Sequence, residues 1–205
     1  MADLLQTGPE DLRRSPVDHL DDRFREDAVA GERAVALREV RFLAMVSLRV
    51  DPRSPAFSRL AHRLGTELPH VCGEVASAGR HSVLWLGPDE WLVVSEWDPG
   101  ALVAELREAL AGDHGSVIDV SANRTTLELT GPAARETLEK GCPVDLHPRS
   151  FRPGTAVATT LGRVPVLLWQ TGATTYRVLP RSSFADYVAR WLLDATTEFA
   201  SPQVP

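Results

Sequence analysis

Lysine is almost missing from this 205-residue chain: Lys140 is the only one among 22 basic residues. Basic clusters and aromatic–basic interleaving are missing too, and the net charge is −6. That balance argues against nucleic acid or an anionic membrane as the main partner. Long apolar runs do not occur: the longest, Val164–Trp169, is far too short to span a bilayer. The N-terminus is polar and acidic and offers no apolar core of a secretory signal, so the cytoplasm is the expected compartment. There are two cysteines, Cys72 and Cys142, without CxxC or Cys/His spacing. Two reduced core residues are expected rather than a disulfide or a metal site. The six histidines show no HxH or HExxH pattern. Neither GxGxxG nor GxxxxGK[ST] occurs, so no glycine-rich loop presents backbone N–H groups to a phosphate. No GxSxG elbow supports a serine nucleophile.

What is present is a pattern that repeats. In the first half, Val46, Leu48 and Val50 alternate with polar residues, as in a half-buried strand. Ser54-Pro55 then caps a helix with Phe57, Leu60, Ala61 and Leu64 on one face, and Gly65 stops it. Two strands follow, Val83–Leu86 and Trp91–Val94, around a turn at Gly87-Pro88-Asp89. Leu102, Leu106, Ala109 and Leu110 mark a second helix. The second half runs in the same order. Leu127 and Leu129 mark a strand, and Gly131-Pro132 opens a helix that Gly141 ends. Val164–Trp169 and Thr175–Leu179 read as a hairpin around Thr171-Gly172. A last helix carries Phe184, Tyr187, Val188, Trp191 and Leu192, with Ser183 and Asp186 as a capping box. Trp91 aligns with Tyr176, and Val94 with Leu179, at a constant offset of 85 residues. Two strand–helix–hairpin–helix units are therefore expected, each an α+β split arrangement of the ferredoxin type. Together they make one pseudo-symmetric domain over residues 36–200, with halves of about 40–115 and 116–195. Residues 1–35, rich in Asp, Glu and Arg, read as an N-terminal arm that orders against partners. Within it Asp18–Arg33 is a candidate helix anchored by Leu20, Phe24 and Val29.

The segment Ser116–Arg135, continuing through Cys142-Pro143-Val144-Asp145 to Arg152-Pro153-Gly154, resembles the folate-binding aminomethyltransferase superfamily. Catalytic members of that superfamily follow with a Gly-Gly-x-x-Asp-type loop whose carboxylate meets the folate. Here Gly162-Arg-Val-Pro-Val-Leu-Leu-Trp169 stands in its place, and the acid is missing. The ordered set Ser15-Pro16, Ala34–Leu43, Val46–Asp51, Leu84–Leu92, Asp119–Ser121 and Arg124 narrows the likeness. It resembles the gamma-subunit family of bacterial heterotetrameric sarcosine oxidases, over roughly residues 15–195. The resemblance implies a pseudo-duplicated α+β fold like the N-terminal region of the aminomethyltransferases. It implies a subunit without catalytic residues, acting in assembly and stabilisation of an oxidoreductase complex. That complex demethylates sarcosine to glycine and passes the one-carbon unit to tetrahydrofolate. It further implies alpha, beta and delta subunits as partners, and FAD, FMN, NAD, zinc and tetrahydrofolate in those partners rather than in this chain.

Asp119, Ser121 and Arg124 form the most site-like polar constellation. As an active site, Asp119 would be a base and Arg124 a clamp for an anion. As structure, Asp119 and Arg124 would pair with each other or cap backbone where the two halves join, and without the acid in the 162–169 loop this second reading is favoured. Trp85 and Trp97 are the candidates for an interface, where Trp is a preferred anchor. Two enzyme-side alternatives stay open: a stand-alone folate-dependent aminomethyltransferase using Asp119 or Glu128 as a replacement acid, and a stand-alone folate-binding module.

Overall fold

The structure, a computed structural model, describes residues 13–200. Five helices and ten strands follow one another in the chain. They are α1 (Asp21–Glu26), β1 (Ala36–Val40), β2 (Ala44–Val50), α2 (Pro55–Leu64), β3 (Val75–Ala78), β4 (His81–Gly87) and β5 (Glu90–Ser95). Then come α3 (Pro99–Leu110), β6 (Gly115–Asp119), β7 (Thr126–Thr130), α4 (Ala134–Glu139), β8 (Thr155–Leu161), β9 (Val164–Gly172), β10 (Thr175–Pro180) and α5 (Ala185–Ala200). Among the described residues no helix is long and apolar enough to cross a membrane.

Local chemistry sets the helix ends that were expected. Ser54 accepts the Ala56 N–H at 3.0 Å, Pro55 begins α2, and Gly65 closes it at φ 68°. Asp98 caps α3 in the same way through the Ala101 N–H at 2.8 Å.

Two antiparallel five-stranded sheets result, in the orders β3-β4-β5-β2-β6 and β1-β7-β10-β9-β8. Strands β5 and β10 occupy matching places, and their bounds differ by the 85 residues read from the repeat. Each repeat holds a three-strand meander where a hairpin was expected. The added strands, β3 and β8, are the edges that join the sheets. Val75 N–H donates to Gly154 O at 3.0 Å, and Ala156 N–H donates to Gly73 O at 2.9 Å.

Three apolar layers hold the arrangement. Val46, Leu48, Val83, Trp91 and Val93 pack under α2 and α3. Leu127, Leu129, Leu168 and Val178 pack under α4 and α5. Between the sheets, Met45, Leu84, Leu92 and Val94 meet Ala156, Leu167, Trp169 and Leu179. Strand alternation places these two sets on opposite faces, so helices lie outside and sheet faces sheet inside.

The outer strands cross over between the units. β1 precedes β2 in the chain, yet pairs with β7 of the second sheet, from Ala36↔Thr130 to Val40↔Thr126. β6 precedes β7, yet pairs with β2 of the first sheet, from Val46↔Asp119 to Val50↔Gly115. Each sheet thus takes its fifth strand from the segment leading into the other unit. β6 lies in the second half by sequence and in the first sheet by pairing.

Several expectations are corrected. The candidate helix over Asp18–Arg33 is a 3-10 turn at Asp18–Leu20 followed by α1, which ends at Glu26. Val29 instead bridges to Val35. The described part of the arm packs on the chain's own second sheet, where Val17, Leu20 and Phe24 are buried. The turn after β9 sits at Ala173-Thr174, because the strand runs on through Gly172. Phe184 lies in a 3-10 turn just before α5 and is exposed, as is Tyr187 on the helix, and Ala185 and Ala189 take the buried face beside Val188 and Leu192. Small residues at Ala185 and Ala189 let the helix approach the sheet closely while Val188 and Leu192 fill the space beside them. Asp186 is not a capping residue but pairs with Arg190 and His19. Cys142 is buried, whereas Cys72 is exposed in the turn before β3.

Candidate functional site

Asp119, Ser121 and Arg124 come together where β6 leads into β7, and they hold backbone. One carboxylate oxygen of Asp119 accepts the Ser121 hydroxyl at 2.6 Å and the Ser121 N–H at 2.9 Å. The same hydroxyl accepts the Met45 N–H at 3.0 Å. Arg124 donates from Nη1 to the Leu179 carbonyl at 2.8 Å, and its backbone bridges to Arg181. Asp119 and Arg124 do not form an ion pair with each other among the described residues. Burial, and then the like charge of Arg181, pull the Arg124 guanidinium below its ordinary value.

These residues border a cavity of about 380 Å³ at the end of the inter-sheet core. Its wall includes Arg13 and Arg14 from the arm, Phe42 from the β1–β2 turn, and Arg124, Thr126 and Ser182. Arg13 places its guanidinium 4.5 Å from the centre of the Phe42 ring. Phe42 stands at φ 56°, a left-handed conformation uncommon for a residue with a bulky side chain. Sequence reasoning missed this wall. A usable signal was the order Leu37-Arg38-Glu39, which puts a carboxylate on the apolar face of a strand and so demands polar partners nearby.

Glu128, the other candidate acid, stands in β7 with Arg38 opposite it on β1 and Arg177 opposite on β10. Arg38 donates to Oε1 through Nε at 2.8 Å, and Arg177 donates to Oε2 at 2.9 Å. Arg177 also lies 5.2 Å from the centre of the Trp169 ring. Burial pushes the Glu128 carboxyl up, but the hydrogen bonds and charges of Arg177 and Arg38 together carry it below its ordinary value. A carboxylate clamped between two arginines is a poor proton acceptor.

The 162–169 segment is a tight β8–β9 hairpin turned at Gly162, φ 60°. Its strand lies inside the sheet, between β8 and β10. The proline is accommodated because β10 ends at Pro180 opposite Val166, so Pro165 sits beyond that pairing.

Trp85 and Trp97 are half-buried and pack on the first sheet's outer core. Trp85 stands opposite the fully buried Trp91, and its buried indole N–H has no partner among the described residues. Trp97 meets the edge of His81 at 6.1 Å between ring centres, and Arg80 lies 5.4 Å from its own centre.

Comparison with known proteins places this architecture. A glycine cleavage system aminomethyltransferase T from Bartonella henselae superposes with a TM-score of 0.66 at 16% identity, over 89% of this chain and 57% of that one. At that identity the likeness is one of fold alone. A chain of the heterotetrameric sarcosine oxidase from Corynebacterium sp. U-96 superposes with a TM-score of 0.91 at 48% identity, over 95% of this chain and 100% of that one. A sarcosine oxidase subunit gamma from Arthrobacter sp. is 52% identical over 94% of each chain. The same-named subunit from Corynebacterium sp. (strain U-96) is 48% identical over 94% of each. Residues 49–198 match the model of the sarcosine oxidase, gamma subunit family. With that match and those identities over nearly its whole length, the chain belongs to the sarcosine oxidase gamma subunit family.

Proposed function

We propose that this chain is the non-catalytic gamma subunit of a heterotetrameric sarcosine oxidase, working in the cytoplasm in the assembly and stabilisation of the complex. The observation that carries the absence of catalysis is where its acids are spent. Asp119 holds the Ser121 turn, Glu128 is clamped by Arg38 and Arg177, and Gly162–Trp169 is a strand hairpin without a carboxylate.

Alpha, beta and delta subunits are the partners of this reading. They would carry FAD, FMN, NAD, zinc and tetrahydrofolate, and would oxidise sarcosine to glycine while the one-carbon unit passes to tetrahydrofolate. This chain's contribution is the surface it offers. A subunit that binds only the folded partners stabilises them by mass action. Asp119 and Ser121 set the turn into β7, and Trp85 and Trp97 present half-buried rings that a partner can cover.

A reduced folate titrated into the full chain, followed by tryptophan fluorescence, tests the non-catalytic reading. The expected result is no saturable change in the micromolar range. Micromolar binding would favour a folate-binding module or a stand-alone aminomethyltransferase.

A further inference from the structure

The cavity beside Arg124 holds a guanidinium that no carboxylate pairs with among the described residues. Arg124 is half-buried, one nitrogen of its guanidinium is used on Leu179, and Arg181 is near enough to repel it. Neither arginine meets a carboxylate in an ion pair among the described residues. A cation held partly away from water without a counter-charge costs free energy. Arg13 and Arg14 line the same cavity from the arm; Arg14 also lies 3.4 Å from Asp18. The acid on the wall, Asp119, has an oxygen already occupied by Ser121. Thr126 lines the cavity as well, and although the residue is only 1% exposed its hydroxyl has no partner among the described residues. Buried hydroxyls in folded proteins are nearly always satisfied. The volume, about 380 Å³, lies within the range of small-ligand sites.

We propose that this cavity binds one small anion bearing a carboxylate or a phosphate, with Arg124 as its principal cation, Arg14 at its mouth and Thr126 as a hydrogen-bond partner. Guanidinium matches the oxygen geometry of both anions and forms charge-assisted hydrogen bonds to either. The ligand supplies a counter-charge to Arg124. Because the arm forms part of the wall, binding also fastens residues 13–16 to the end of the inter-sheet core. The proposal is independent of the absence of catalysis, since no bond is made or broken.

Thermal unfolding of the full chain, with inorganic phosphate or with succinate against sodium chloride at matched ionic strength, reads the binding. A saturable rise of the midpoint is expected with at least one of the two, and the better one identifies the oxyanion. Arg124→Gln weakens the effect about tenfold or more, in keeping with loss of a charge-assisted bond. Thr126→Val weakens it several-fold while leaving the unliganded midpoint unchanged or raised, because it removes an unsatisfied hydroxyl. Arg14→Ser, at an exposed position that does not threaten folding, weakens it a few-fold even if Arg124→Gln fails to fold. The proposal is overturned if neither anion exceeds sodium chloride, or if Arg124→Gln and Arg14→Ser bind as the parent does. It is also overturned if the assembled complex takes up neither anion while Arg14→Ser loses its partners, because a partner's carboxylate then fills the cavity.

Discussion

Ser15 donates its hydroxyl to the buried Glu39 carboxylate at 2.5 Å, and so ties the N-terminal arm to the edge strand of the second sheet. The second oxygen of Glu39 accepts the Thr125 hydroxyl at 2.5 Å, and Arg41 stands 3.4 Å away. Arm, β1 and the entry to β7 are therefore held through one carboxylate. Ser15→Ala is expected to cost about 1.5–3 kcal/mol, the worth of a hydrogen bond to a charged acceptor. It should also expose the arm to trypsin at Arg23 and Arg25. Limited proteolysis checks this: an arm cut no faster than in the parent would show that Glu39 does not hold it.

Gly131 lies where β7 ends, at φ 122°, and a Cβ there would stand 2.2 Å from the Ala34 carbonyl oxygen. Backbone meets backbone, so no side-chain rotation relieves the contact. Gly131→Ala should cost ~3 kcal/mol or more, from strain plus the displaced entry to β1. Gly112→Ala serves as the control: its φ is 83° but nothing lies within 4 Å of the added atom. About 1 kcal/mol is expected there. Urea unfolding of both variants reads the difference, and equal losses would contradict the β1–β7 contact.

The repeat was legible in the chain, and the exchange of strands was not. Ser54-Pro55 and Gly65 mark α2 because caps and stops are local chemistry, and β5 and β10 announce each other through Trp91 and Tyr176 in matching apolar runs. β3 and β8 escaped because Val75–Ala78 and Thr155–Leu161 are made of small and polar residues with little apolar contrast. β1 and β6 are short, and nothing in a strand's own sequence states which sheet it will join. In the site, Asp119, Ser121 and Arg124 were legible as a cluster, and in the structure each hydrogen-bonds to backbone. Arg13, Arg14 and Phe42 were not legible as neighbours of Arg124, since three separate segments meet there.

The inter-sheet core makes one folding unit of the two sheets. Leu84 from the first sheet and Leu179 from the second are both fully buried in it. Leu84→Ala and Leu179→Ala should each cost about 2–5 kcal/mol. Each should move a single unfolding transition, seen alike by tryptophan fluorescence and far-ultraviolet circular dichroism. Two separated transitions in either variant would show that the sheets unfold independently.

Acid should loosen the second sheet through Glu128. Its folded-state value is depressed below the ordinary 4.5, so the unfolded chain takes up the proton first as the pH falls. The stabilisation by Arg38 and Arg177 is complete above 4.5 and is lost as the pH drops through the depressed value. Glu128→Gln should therefore cost about 1–3 kcal/mol near neutrality. Denaturant titrations across acid pH should show that gap closing, and a gap constant with pH would place the cost elsewhere.

Assembly is the direct test of the central claim, that this chain works as a surface within a sarcosine oxidase. The candidate alpha, beta and delta chains are co-expressed with and without it, then resolved by size exclusion while flavin absorbance and sarcosine turnover are followed. The account predicts that this chain co-elutes with the flavin-bearing chains, and that its omission lowers the yield or stability of the active complex. Elution of this chain alone, beside partners that assemble and turn over sarcosine fully without it, would contradict the account.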